Sequence, residues 1–215
     1  MQDQYFRIKT VQISEGITEL GGTYSYTFWG CKNLTTVTLP ESLKSIGRMA
    51  FYECENLSTI NIPSGVTSIG DSTFYNCKAL KSISIPDGVT SIERNTFDNC
   101  ISLSNVSIST ESKLTSIGQY SFDDCKNLES LNIPSGVTSI GQSAFYNCEK
   151  LTGITIPSGI TEIKDTVFYN CESLSSINIP SGVTSIGASA FAYCEKLTDI
   201  TIPSGITKIE ESTFE

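Results

Sequence analysis

Residues 57–79 read LSTINIPSGVTSIGDSTFYNCKA, and residues 174–196 read LSSINIPSGVTSIGASAFAYCEK. Leucine, the alternating isoleucines, proline, valine, phenylalanine and cysteine hold the same places in both stretches. Phenylalanine keeps this phase along the whole chain, at Phe28, Phe51, Phe74, Phe97, Phe122, Phe145, Phe168, Phe191 and Phe214. The spacing is 23 residues, except for one unit of 25 between Phe97 and Phe122. A fixed period of this length indicates a repeat protein whose units stack on one another.

Each unit carries too few apolar residues to fold alone, so neighbouring units are expected to share one elongated core as a solenoid. Within residues 57–79, the alternation at 60–62 predicts a short strand with its apolar side inward, and Pro63 ends it. Residues 66–69 predict a second, shorter extended segment. Residues 71–77 predict one or two short helical turns, because Asp or Ser precedes apolar residues spaced by three.

The fold class expected from this pattern is an α/β repeat solenoid, a right-handed superhelix with a parallel β-sheet on the concave face and short helices or turns on the other. Residues 28–215 form the repeats, and residues 1–27 are interpreted as a degenerate N-terminal capping repeat. The chain stops in mid-unit, so the solenoid is expected to be truncated at its C-terminus. The two extra residues of the 25-residue unit predict a surface loop over 109–113.

The composition narrows the function classes. The chain has 14 basic and 23 acidic residues and a net charge of −9, which opposes binding to nucleic acid or to anionic membrane. No apolar run approaches the roughly 20 residues that a membrane span needs. The sequence has no His, the commonest general acid or base and the commonest zinc ligand. We therefore expect no enzyme activity, no metal site and no cofactor.

The cysteines share one register, three residues after each phenylalanine. They are Cys31, Cys54, Cys77, Cys100, Cys125, Cys148, Cys171 and Cys194. This spacing is unlike that of zinc sites, and side chains that point inward in one column do not readily give the roughly 90° torsion of a disulfide. The favoured interpretation is a ladder of buried reduced thiols, with some disulfide pairing and metal binding left as alternatives.

Two surface columns are candidate binding sites. The strand-face column consists of Thr38, Asn61, Ser84, Ser107, Asn132, Thr155, Asn178 and Thr201. Its short polar side chains offer hydrogen bonds without aromatic anchors, and the alternative is a solubilising sheet face. The aromatic column consists of Trp29, Tyr52, Tyr75, Tyr146 and Tyr169. Such rings suit recognition of proteins or sugars, and the alternative is that they only pack over neighbouring turns.

The unit L-x-x-I-x-I-P-x-x-V-x-x-I-x-x-x-x-F-x-x-C resembles the BspA-like, or treponemal-type, class of leucine-rich repeats over residues 28–214. The resemblance implies a cell-surface or secreted bacterial protein that binds surface proteins of a host or of other microbes, with glycans as a further ligand class. It implies no shared catalytic site. The function expected is a non-catalytic adhesion module, and the alternative is an intracellular scaffold or a structural spacer.

Overall fold

A computed structural model of the chain describes residues 7–22 and 26–215. Short strands form where β-branched residues alternate with polar ones, and the first strand of each repeat ends at or before the proline. Within the described residues, the first strands of successive coils are β1 (Thr10–Gln12), β3 (Thr36–Thr38), β5 (Thr59–Ile60), β7 (Ser82–Ile85), β9 (Asn105–Ile108), β11 (Ser130–Leu131), β13 (Gly153–Thr155) and β15 (Ser176–Asn178).

These first strands pair in parallel, each with the strand of the adjacent coil. Val37 lies opposite Ile60, and Ile154 lies opposite Ile177, so equivalent repeat positions are in register. The pairing falls into three groups, β1-β3-β5, β7-β9 and β11-β13-β15. The inward apolar side chains are buried and the outward polar ones are exposed, as the alternation predicts. The structure is therefore a parallel-strand solenoid of stacked coils.

The second extended segment also forms a strand in every coil before the last, and in the predicted segment 66–69 this strand is Ser68–Ile69. Over the described residues these strands are β2 (Glu19–Leu20), β4 (Ser45–Ile46), β6 (Ser68–Ile69), β8 (Ser91–Ile92), β10 (Ser116–Ile117), β12 (Ser139–Ile140), β14 (Glu162–Ile163) and β16 (Ser185–Ile186). They pair in parallel, with Ile46 opposite Ile69 and Ile117 opposite Ile140. The inward isoleucines of this second sheet close the core against the first.

The helical turns predicted for residues 71–77 and their equivalents are wrong. Residues 7–22 and 26–215 contain no α-helix, and the side of the coil that carries the phenylalanines consists of turns. Alternate backbone N–H groups donate to the next coil: Phe51 donates to the Thr73 carbonyl at 2.9 Å, and Glu53 donates to the Tyr75 carbonyl at 2.8 Å. An α-helix would use those groups within its own segment, so stacking replaces helical hydrogen bonding.

In the seven such turns between Met49 and Tyr193, two residues have positive φ, which lets the chain bend between its bonds to the next coil. Ser72 has φ 53° and Asn76 has φ 60°, and the N–H of the intervening Tyr75 donates to the Ser72 carbonyl at 3.2 Å. Asn and Asp tolerate this conformation better than most residues, because their short polar side chains bond locally. The second position holds Asn or Asp in most units, including Asn99 and Asp124.

The core contains a continuous column of phenylalanine rings with a column of thiols beside it, and inward leucines, isoleucines and valines complete it. Consecutive rings from Phe28 to Phe214 stack with centroids 5.3 to 5.8 Å apart. All eight cysteines carry free thiols, and seven of them are buried. The Cys77 thiol donates to the Phe51 carbonyl at 3.2 Å, and the Cys100 thiol donates to the Phe74 carbonyl at 3.1 Å. The favoured prediction of a buried thiol ladder is confirmed in these positions.

The longer unit and the first coil adapt to the same stack. Residues 109–113 form a turn on the surface, in which Ser112 donates its N–H to the Ser109 carbonyl, while Ile108 and Leu114 remain buried. Val11 lies opposite Val37 and Leu20 opposite Ile46, so residues 10–20 supply the first coil. The capping role of residues 1–27 stays a prediction, since residues 1–6 and 23–25 lie outside the described part. Within that part, no helix has the length and apolar character needed to cross a membrane.

Candidate binding faces

From Thr38 to Asn178 the strand-face column lies on the outer side of the first sheet, and Thr201 holds the equivalent position in the last coil, whose described residues contain no strand. All eight of its residues are exposed: Thr38, Asn61, Ser84, Ser107, Asn132, Thr155, Asn178 and Thr201. Parallel pairing places Ser84 directly opposite Ser107, and Thr155 directly opposite Asn178. Within each paired group of strands the backbone N–H and C=O groups are used in the ladder, so there this face can bind a ligand mainly through its side chains.

A groove of about 690 Å³ runs across the N-terminal half of this face. Its lining includes Asn61, Ser84, Ser107 and Asn132, which are four consecutive members of the strand-face column. The groove crosses both places where the first sheet divides, between β5 and β7 and between β9 and β11. Folding thus gathers side chains from five coils, from that of Glu41 to that of Asn132, into one depression, which we call the main groove.

The polar side chains of the main groove have spare hydrogen-bonding capacity. Ser107 Oγ donates to Asn105 Oδ1 at 3.4 Å. The side chains of Asn61, Ser84 and Asn132 have no partner among residues 7–22 and 26–215. Amide and hydroxyl groups both donate and accept hydrogen bonds, so these side chains, which form the floor of the main groove, can bond to either donors or acceptors on a ligand.

Carboxylates are the charged groups that line the main groove. Glu41 and Asp87 each follow a proline, and Ser64 occupies the same position in the coil between them. Stacked coils are about 4.8 Å apart, so the backbones of Glu41 and Asp87 are separated by about 10 Å. The Lys113 N–H donates to the Asp87 carbonyl at 2.9 Å, yet neither carboxylate forms an ion pair within the described residues.

Two smaller depressions continue along the same face. One of about 410 Å³ adjoins the main groove and includes Thr59, Ser82 and Asn105 in its lining. Another of about 400 Å³ lies between β13 and β15 and is lined by residues that include Thr155 and Asn178. The strand face therefore offers recesses at several coils, and the main groove is the largest of these three.

The aromatic column divides into two stacks. The ring centroids of Trp29 and Tyr52 are 6.4 Å apart, and those of Tyr52 and Tyr75 are 4.5 Å apart. Tyr146 and Tyr169 stack with their centroids 4.6 Å apart and their planes at 1°. The rings thus cover one another's faces, which is the packing arrangement that the sequence left open. A binding role for their exposed edges stays a prediction.

Asp98 and Asp123 occupy the positions between the two aromatic stacks. Burial, followed by the nearby Asp123 and Asp124, raises the pKa of Asp98 to about 7. Burial and the Asp124 carboxylate likewise raise the pKa of Asp123 to about 7, and Asp123 Oδ1 is buried without a hydrogen-bond partner in the described structure. The two acids therefore favour their protonated forms over most of the acidic range.

The sequence did not single out three residues that the structure makes prominent. Glu41 and Asp87 line the main groove, and the available signal was that acidic residues replace the serine found after most other prolines. Tyr193 is 53% exposed and meets Tyr169 edge to face at 5.1 Å. It lies one residue after the expected column position, which Ala192 occupies, so a search for rings directly after each phenylalanine does not find it.

The cysteines are poor candidates for chemistry. Burial raises the pKa of the Cys77 and Cys148 thiols well above the usual value of 9.0. The partly exposed Cys194 thiol has its pKa raised to about 11 by the same cause. Because the thiolate is the reactive species, these side chains stay protonated and unreactive near neutral pH. Their role in the structure is packing and hydrogen bonding to phenylalanine carbonyls.

Solved structures with the same architecture come from bacterial leucine-rich repeat proteins. A leucine-rich cell-surface protein of Faecalibacterium prausnitzii is 32% identical, with a TM-score of 0.70 over 96% of this chain. The present chain spans 64% of that protein. The leucine-rich repeat protein of T. pallidum is 28% identical, with a TM-score of 0.66 over 88% of this chain and 78% of the other.

The pneumococcal vaccine antigen PcpA is 19% identical, with a TM-score of 0.53 over 92% of this chain and 61% of its own, and this likeness concerns the fold alone. The comparison with curated protein sequences finds no match. The family model described as the BspA type leucine-rich repeat region, six copies, matches residues 4–113 and 106–215. Two successive matches therefore cover nearly the whole chain, which belongs to the BspA-type leucine-rich repeat family.

Proposed function

We propose that this chain is a non-catalytic binding module of a cell-surface or secreted protein, and that the strand face with its main groove is the binding surface. The observation that carries the proposal is the groove itself. It brings together Asn61, Ser84, Ser107 and Asn132, whose polar groups are exposed and largely without partners within the described residues. The F. prausnitzii relative, described as a cell-surface protein, supports the location.

The chemistry of the face favours a repetitive ligand over a compact small molecule. Asn, Ser and Thr provide hydrogen bonds, but the strand-face column lacks the Trp, Tyr and Arg side chains that dominate compact interfaces. Each coil would then contribute modestly, and simultaneous contacts along the stack would raise the overall affinity. An extended polypeptide on the surface of a host cell or another microbe suits this arrangement, which makes adhesion the proposed role.

A binding screen with two matched variants tests the proposal. The protein is offered to immobilised matrix proteins and to a glycan panel, and each binder is measured again with Asn61→Arg/Asn132→Arg. These substitutions place long side chains at the first and last of the four strand-face positions in the main groove. The control, Thr67→Arg/Thr138→Arg, adds the same charge at exposed positions three coils apart that precede second-sheet strands. Loss of binding in the first variant and retention in the second is expected.

Two outcomes would contradict the proposal. One is that no immobilised protein or glycan binds at micromolar concentration, which would favour the alternative of a scaffold or spacer. The other is that both arginine variants lose binding equally, which would indicate that the added charge or another face is responsible. Circular dichroism and thermal unfolding of both variants show whether the solenoid remains folded.

A further inference from the structure

Charge complementarity narrows the class of ligand for the main groove. Its charged lining residues, Glu41 and Asp87, are both acidic. A third carboxylate lies beside them, since Glu15 Oε1 accepts the Glu41 N–H at 3.0 Å and Glu15 Oε2 accepts the Ser42 N–H at 3.2 Å. Sulfated or sialylated glycans and acidic peptides would meet like charge on entering this groove, which costs free energy.

Resting on the function proposed above, we propose that the main groove binds an extended polypeptide segment carrying two Lys or Arg side chains, which pair with Glu41 and Asp87. Neither carboxylate has an ion-pair partner within the described residues, so both are available to an incoming cation. Both side chains are also exposed. A Lys or Arg side chain of the ligand can therefore pair with either carboxylate without breaking an existing ion pair.

The geometry fits an extended chain that crosses the strands along the stack. The backbones of Glu41 and Asp87 are about 10 Å apart, whereas side chains two residues apart on an extended peptide are separated by about 7 Å. The long flexible stems of Lys and Arg bridge the difference. The polar floor formed by Asn61, Ser84 and Ser107 then faces the peptide backbone, whose amides need both donors and acceptors.

The position of the acids along the stack gives the groove its selectivity. At the position after the proline, the C-terminal units carry Ser135, Ser158, Ser181 and Ser204. Only the N-terminal part of this column is acidic, so the basic segment is directed to the main groove and away from the depression between β13 and β15. Net charge alone would attract a basic peptide to many positions on the surface. The local arrangement of Glu41 and Asp87 predicts a single position, at the main groove.

The test uses short synthetic peptides in which Ser alternates with Lys, with Glu or with Thr, titrated into isotope-labelled protein and followed by NMR. The Lys peptide is expected to shift the amide signals of Asn61, Ser84 and Ser107. Its affinity is expected to fall about tenfold in Glu41→Gln/Asp87→Asn, because two partly exposed ion pairs are lost. The control, Glu162→Gln/Asp199→Asn, removes one Glu and one Asp from exposed positions elsewhere and should retain the affinity.

Equal weakening by both variants would overturn the inference, because it would show attraction to net charge. Binding of the Glu or Thr peptide as tight as that of the Lys peptide would also overturn it. The proposed function is judged separately by the arginine variants described above. If a natural partner still needs the groove while the Lys peptide does not bind there, the inference fails and the proposed function stands.

Discussion

Replacing Asp98 and Asp123 together with Asn is expected to stabilise the folded protein above neutral pH and to remove much of its pH dependence. These two acids lie in adjacent coils between the aromatic stacks, and burial raises the pKa of each from 3.8 to about 7. Asn has a similar shape and no proton to lose. The variant therefore isolates the effect of placing two carboxyl groups in this partly buried column.

The direction follows from proton linkage. The folded pKa lies above the unfolded value, so between pH 3.8 and about 7 the folded state holds protons that the unfolded state has lost. The free energy of unfolding falls as the pH rises through this window and is lowest above it. The lowered pKa of Glu55, caused mainly by its hydrogen bond from Lys32, acts in the opposite direction and is present in both proteins.

The size of the effect is set by the shift and by the partial exposure of the two acids. Between pH 5 and pH 7, the raised pKa of each carboxyl lowers the free energy of unfolding by about 2.7 kcal/mol, at 1.36 kcal/mol per pH unit. Solvent screening of side chains that are only partly buried reduces this to about 1.4 kcal/mol each. The wild type should therefore lose about 3 kcal/mol more than the double variant between pH 5 and pH 8.

Urea unfolding followed by circular dichroism at pH 5, 6.5 and 8 measures this difference. The control is Glu162→Gln/Asp199→Asn, which changes the net charge by the same amount at exposed positions. If the control flattens the pH dependence as much as Asp98→Asn/Asp123→Asn does, long-range repulsion explains the result. If neither variant changes the slope, burial in this column does not raise the pKa of these two acids.

Three further perturbations test the core, the thiols and the coil spacing. Phe74→Ala removes a fully buried ring stacked between two others and should cost about 3–5 kcal/mol in urea unfolding; a cost below 1 kcal/mol would argue against the stacked core. A maleimide at pH 8 should modify the partly exposed Cys194 well before the other thiols, as read by peptide mass spectrometry, and uniform labelling would contradict the buried ladder. Gly118→Ala should lower the melting temperature, because a Cβ there would lie 2.6 Å from the Glu93 carbonyl carbon, whereas Gly153→Ala meets open space and should be tolerated.

Much of the fold followed from residue spacing. The inward positions of Ile60, Val66 and Phe74, the end of the first strand before Pro63 and the burial of most cysteines all depend on a repeated pattern that the chain displays directly. A residue type that recurs at the same position of every repeat must face the same surroundings in every coil. That condition holds before any coordinates are known, because only stacking can bury such short units.

The turn segment shows where local spacing misleads. Phe74, Cys77 and Leu80 have the three-residue spacing of a helix face, yet the Phe74 N–H donates to the Thr96 carbonyl of the next coil. Helical spacing and this turn ladder place apolar residues at the same intervals. The partner of each backbone N–H distinguishes them, and that partner lies in another repeat.

The period, the shared core and the polar character of the outward columns can be read from the chain alone, because they depend on which residues recur at each position of the repeat. Stacking of the coils brings four polar side chains into one groove, places Glu41 and Asp87 in its lining, and partly buries Asp98 beside Asp123. The repeat pattern does not predict these contacts. A groove and a shifted pKa both depend on distances between side chains of different coils. Residues 23, 25 or 46 positions apart acquire such distances only when the units stack.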